Sequence, residues 1–177
     1  MNDACRSAFA GLLATIPMTI TMRFLQSRLP ARERYPLPPR QITANAARRV
    51  GALHHLDQES LTALTAVAHF GYGTAIAMPY ALLDPVPVRP AAKGAAYGML
   101  VWGASYLELL PRLDLLAPAT RHPARRTALM ITAHLIWGVS LATSFEGLKS
   151  LSSRTQVRKR QRRHPREFLD GSRPRIV

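Results

Sequence analysis

"SLTALTAVAHFGYGTAIAMPYALL" runs from Ser60 to Leu83, 24 residues without one formal charge. As a helix it rises about 36 Å, more than the roughly 30 Å hydrocarbon core of a bilayer. A helix in water needs charged or polar residues recurring at every third or fourth position along its wet face. This one has no charged residue there, so it reads as a membrane crossing, and the rest of the chain is read outward from it.

Three further apolar runs flank it: "SAFAGLLATIPMTITM" from Ser7 to Met22, "GAAYGMLVWGASYLELLP" from Gly94 to Pro111, and "TALMITAHLIWGVSLATSF" from Thr127 to Phe145. The first is short for a crossing: 16 residues rise only about 24 Å, so flanking arginines must snorkel or the bilayer must thin. Together the runs predict an all-α, integral membrane four-helix bundle, with helices at about 7–25, 60–83, 94–111 and 127–147. The expected organisation is a membrane domain over 1–148, interrupted by a basic loop at 26–59, and a basic, disordered tail at 149–177.

Charge is segregated in the same way. Of 24 Lys and Arg, ten fall in the last 29 residues and seven between Arg23 and Arg49. A net charge of +14 raises nucleic acid as a partner, yet the basic residues flank apolar runs rather than stud one face. A bilayer with anionic headgroups is the expected partner. Four crossings divide the basic residues 13 against 11 between the two sides, a margin too thin to orient the chain. The tail, the largest basic block, is expected on the cytoplasmic side of a bacterial inner membrane. A single cysteine, Cys5, excludes an intrachain disulfide.

The second run contains a phrase that returns. "AHFGYGTAIA" (Ala68–Ala77) and "AHLIWGVSLA" (Ala133–Ala142) share Ala, His, an aromatic residue, Gly and Ala at matching places. Each copy follows another apolar run, so a duplicated helical hairpin explains both. His69, Gly73 and Ala77 share one helix face, and so do His134, Gly138 and Ala142. Tyr72 and Trp137 sit at equivalent places. Gly94 and Gly98 add a G-x-x-x-G pair. Small residues at this spacing let helices pack closely in lipid and offer a face for self-association or a membrane partner.

Ionisable groups in lipid are costly and point to function. The candidates are His69, His134, Glu108 and Glu146, with Tyr72 and Trp137 beside the histidines. The expected role of the histidines is to fix helix pairing. A proton or small-solute path through the four groups is an alternative, and bis-histidine haem ligation is another, with no cofactor the leading expectation. Glu108 is expected to pair with Arg112, and Glu146 with Lys149. Pro36, Pro38 and Pro39 predict an extended segment up to Arg40, followed by an amphipathic helix from Ile42 to Leu56 in the headgroup layer. His54 and His55 are adjacent and diverge on a helix, a poor metal pair. No phosphate loop, H-E-x-x-H or G-x-S-x-G occurs, so no catalytic residue is expected.

"GLLATIPMT" (Gly11–Thr19), "PPR" (Pro38–Arg40) and the two H-x-x-[YW]-G phrases resemble the uncharacterised YagU-like bacterial inner-membrane proteins, over roughly residues 8–148. The resemblance implies an inner-membrane helical protein and no active site.

Overall fold

Residues 2–163 are described by the structure, a computed structural model, with side chains described for 2–152. Five helices carry the fold: α1 (Asp3–Ser27), α2 (Pro38–Arg49), α3 (Gln58–Ala75), α4 (Pro90–Gly103) and α5 (Ala124–Arg163), and no strand occurs among the described residues. After α4 the chain keeps its helical course through a π-helical turn at Ala104–Leu109 and a last α turn at Leu110–Arg112. A six-residue 3₁₀ segment, Met78–Leu83, follows α3.

Local chemistry sets the helix starts. Asn2 accepts from the Cys5 N–H at 2.8 Å, and Asp57 accepts from the Ser60 N–H at 2.7 Å, each satisfying an orphan donor of a first turn. Pro38 and Pro90 open α2 and α4, where a missing N–H costs nothing. Gly51, with φ +70°, turns the chain out of α2.

Helix α5 is the hub, flanked by α1 and α4, while α3 lies outboard on α1 and α2 packs on α3. Arg6, Ser7, Ala10, Ala14, Thr15, Met18 and Met22 of α1 recur at helical spacing and are buried. One end of the core is aromatic: the Tyr80 ring lies 5.4 Å from Tyr97 and 5.7 Å from Phe145, and Tyr97 stacks on Trp137 at 6.1 Å. Only Leu61 and Gly73 of α3 are buried. Leu64, Val67 and Tyr72 of α3 are exposed, as are Phe9, Leu12, Leu13, Ile16, Ile20 and Phe24 of α1. So large an apolar exterior suits lipid as solvent rather than water.

Three segments are long and apolar enough to cross a membrane: Asp3–Ser27, Gln58–Leu83 and Ala124–Ser152. The first therefore runs well beyond the 16-residue stretch between its arginines. Arg6, in the first turn of α1, is buried, pairs with Asp3, and places its guanidinium 5.7 Å from the Phe145 ring, so it lies inside the helix packing.

The loops gather at two ends. At one, Arg126 of α5 donates to the backbone carbonyls of Glu33, Tyr35 and Pro36 at 2.8, 3.0 and 3.0 Å, and its guanidinium sits 3.5 Å from the Tyr35 ring centroid. There too Asn45 donates to the Leu115 carbonyl at 2.8 Å, and Arg49 pairs with Asp114 at 3.1 Å. At the other end, Lys149 pairs with Asp84 at 2.6 Å and Lys93 donates to the Leu83 carbonyl at 2.8 Å. The first and third loops thus share one end, and the second loop joins the start of the tail at the other.

Several sequence expectations are corrected. Pro38 and Pro39 initiate α2 instead of holding the chain extended to Arg40, because proline fits the first helical turn. That helix ends at Arg49, short of Leu56, and packs on α3. The third apolar run begins its helix at Pro90 and changes pitch at Ala104. Helix α5 continues to Arg163, into the segment read as a disordered tail, whose remainder (164–177) lies outside the described residues.

Candidate functional site

Two seams of small residues build the site. In the first, a Cβ on Gly11 would collide with the Ala77 Cβ and the Gly73 carbonyl, and a Cβ on Gly73 would collide with the Thr15 hydroxyl. In the second, a Cβ on Gly94 would collide with the Gly138 carbonyl and the Ala142 Cβ, and one on Gly98 with the His134 carbonyl. The registers match. Gly11 corresponds to Gly94, Thr15 to Gly98, and the His-Gly-Ala face of α3 to that of α5. All six predicted packing residues, Gly73, Ala77, Gly94, Gly98, Gly138 and Ala142, lie in these intrachain seams. They therefore do not form an outward face for self-association.

Above the seams the helices diverge around a cavity of about 250 Å³. Thr15, Met18 and Met22 of α1 line it, with Ala68, His69, Tyr72 and Gly73 of α3 and Ile76 just after it. Pro39, Ile42 and Thr43 of α2 contribute another part of its wall. Val101 comes from α4, Ser105, Tyr106 and Leu109 from the π turn, Leu110 from the α turn after it, and His134 and Trp137 from α5. The amphipathic helix expected in the headgroup layer thus contributes to the cavity wall. The extra residue of a π turn breaks the regular side-chain register, and such turns are frequent at functional sites. Here it brings Ser105 and Tyr106 to the cavity.

The two histidines expected on equivalent faces share this one space. His134 is buried, and its Nδ1 lies 2.8 Å from the Met130 carbonyl. A carbonyl only accepts, so Nδ1 carries the proton and Nε2 keeps its lone pair in the neutral ring. The edge of the ring arrangement is closed by Tyr106, T-shaped to His134 at 5.5 Å. His69 is half-buried, with Nε2 at 3.2 Å from the Thr19 hydroxyl. That hydroxyl donates to the Thr15 carbonyl at 2.7 Å, so it accepts from His69 Nε2–H and leaves Nδ1 bare. Tyr72 is half-exposed and reaches Ser105 at 2.8 Å, tying α3 to the π turn. Trp137 is buried, and its indole N–H has no acceptor among the described residues.

The carboxylates stand apart. Glu108 is exposed on the outer side of the π turn and pairs with Arg112 at 2.8 Å, as its i, i+4 spacing predicts. Glu146 is half-buried far along α5 and does not line the cavity. Lys149, its expected partner, reaches Asp84 instead, because the second loop comes down onto α5. His54 and His55 are exposed with ring centroids 3.8 Å apart, and no group of three or more possible metal ligands occurs among the described residues.

Sequence reasoning did not single out Thr15, Thr19, Ser105 or Tyr106. Only Tyr106 carried a signal, a phenol in an apolar run, where a buried hydroxyl generally seeks a partner. Comparison with protein-family models, curated proteins and solved structures finds no match to this chain.

Proposed function

We propose that this chain is a multi-pass protein of a bacterial inner membrane, crossing four times as two related hairpins, with its basic tail on the cytoplasmic side against anionic lipid. It acts without catalysis, as a structural or accessory component, in keeping with the YagU-like resemblance. One observation carries this reading: four helical passages alternate between the same two clusters of loops, while the outward faces of α1 and α3 are apolar. Pro90–Arg112 is 23 residues along its helical course, about 34 Å, long enough for the remaining crossing. The matched seam registers support an origin by duplication.

The transport alternative loses support because neither Glu108 nor Glu146 joins the histidines. The haem alternative fits poorly. A cavity of about 150 Å³ admits benzene, so 250 Å³ holds a substituted ring and not a flat macrocycle. His69 Nε2 is also engaged by Thr19.

Single-cysteine accessibility in spheroplasts, on a Cys5→Ser background, tests the topology. Val86→Cys and Ser150→Cys are expected to label from one side, and Arg32→Cys and Arg121→Cys from the other. If Val86→Cys labels with Arg121→Cys, the chain between them does not cross and the four-crossing reading fails.

A further inference from the structure

We propose that the cavity between α3 and α5 is a binding site for a small, uncharged, membrane-soluble alcohol or phenol, held by its hydroxyl between His134 and Tyr106, whose rings lie 5.5 Å apart. The inference rests on the membrane reading only for the route by which such a molecule arrives.

Size comes first. The cavity of about 250 Å³ exceeds the roughly 150 Å³ that takes up benzene, so a ring with substituents fits. Most of the wall is apolar, from Met18, Met22, Ile42, Ile76, Val101 and Leu109. An apolar wall excludes ionised ligands, since an unpaired charge there lacks compensation.

The polar groups then select the head. His134 keeps a bare Nε2 because Met130 holds the proton on Nδ1. Trp137 lines the same cavity with its ring, but its indole nitrogen is closed off from the space and offers no donor there. Tyr106, 7% exposed, also lines the cavity, and its phenol makes no hydrogen bond among the described residues. A site with a bare acceptor beside an unpartnered hydroxyl matches a group that both donates and accepts. A hydroxyl does so through one atom: it donates to His134 Nε2 and accepts from the Tyr106 hydroxyl. A ketone or ether would leave the imidazole unanswered, and a hydrocarbon would leave both. Placement of Tyr106 by the π turn supplies a reason for that irregular turn to persist.

The test uses the full chain in lipid nanodiscs with two matched probes, 4-(trifluoromethyl)phenol and its hydroxyl-free analogue 4-methylbenzotrifluoride, followed by fluorine NMR against empty nanodiscs. The expected result is saturable phenol binding, roughly five- to tenfold tighter than the analogue, the worth of one hydrogen bond. His134→Phe should remove that preference. Ala68→Phe, which adds bulk from the exposed rim of the cavity without touching the core, should abolish binding of both probes. Equal affinity for the two probes, or phenol binding that survives Ala68→Phe, overturns the proposal. Failure of the membrane reading shows separately, as a chain recovered from the soluble fraction.

Discussion

Adding one methyl group at Gly138 should separate the two helices that form the centre of the molecule. A Cβ there lies 2.8 Å from the Gly94 carbonyl carbon and 3.0 Å from the Gly98 Cα, and it meets the Gly94 carbonyl oxygen more closely still. Ordinary contact lies at 3.4–4 Å, so α4 must retreat by on the order of 1 Å along this seam. The obstructing atoms are backbone on the facing helix, and no rotamer change relieves them. Overpacking of this kind costs about 1–3 kcal/mol, with immovable neighbours placing it near the upper figure. Alanine returns about 1 kcal/mol of helix propensity. A net loss of roughly 2 kcal/mol remains, equivalent to a melting temperature lowered by about 4–8 °C for a chain of this size. Gly71→Ala is the matched control, because a Cβ there meets nothing within 4 Å. It should leave stability unchanged or raise it slightly. Thermal unfolding of both variants in one mild detergent, followed by circular dichroism, checks the pair. A Gly138→Ala protein as stable as the parent, or a Gly71→Ala protein equally weakened, refutes close packing of α4 on α5.

Other expectations concern the ends of the bundle. Arg126→Lys keeps the charge but cannot serve three carbonyls and the Tyr35 face at once, so it should cost about 2 kcal/mol and open the 31–37 segment to limited proteolysis. Unchanged cleavage there would show that the clasp is not holding the loop. Exchanging the partners in an Asp84→Lys, Lys149→Asp double variant should recover part of the stability that each single change loses, with a coupling no larger than about 1 kcal/mol for so accessible a pair. Strict additivity of the two single changes would remove this ion pair as a fastening of the second loop. Asp57 has its carboxyl pKa held below the ordinary value, first by the Ser60 backbone N–H it accepts from. Its contribution to the start of α3 is therefore complete above the ordinary carboxylate range and fades as pH falls through the lowered pKa. Hydrogen-exchange protection of the Ser60 amide, its rate relative to the intrinsic rate at the same pH, should fall in acid, and in Asp57→Asn, which keeps the cap oxygen, that pH dependence should disappear.

Much of the scaffold was legible in linear order. The 24 uncharged residues from Ser60 to Leu83 exclude a wet helix face by composition alone, whatever lies beside them. The His-x-x-x-Gly-x-x-x-Ala spacing predicts a packing face because helical geometry places those residues on one line, and both copies do face a neighbouring helix. Glu108 and Arg112 pair for the same local reason.

What tertiary structure alone decided is which faces meet and what space they leave. That α5 is central and α3 peripheral follows from packing over the whole chain, not from hydropathy, in which the two hardly differ. Lys149 chooses Asp84, 65 residues away, over nearby Glu146 because the second loop is brought down onto α5. The tautomer of His69, set by Thr19 fifty residues away, and the cavity shared with His134 depend on groups distant in the chain, whereas the His134 tautomer is set locally by the Met130 carbonyl. Periodicity reports which residues share a face of one helix. It carries no information about the separation between two helices, and that separation makes the site.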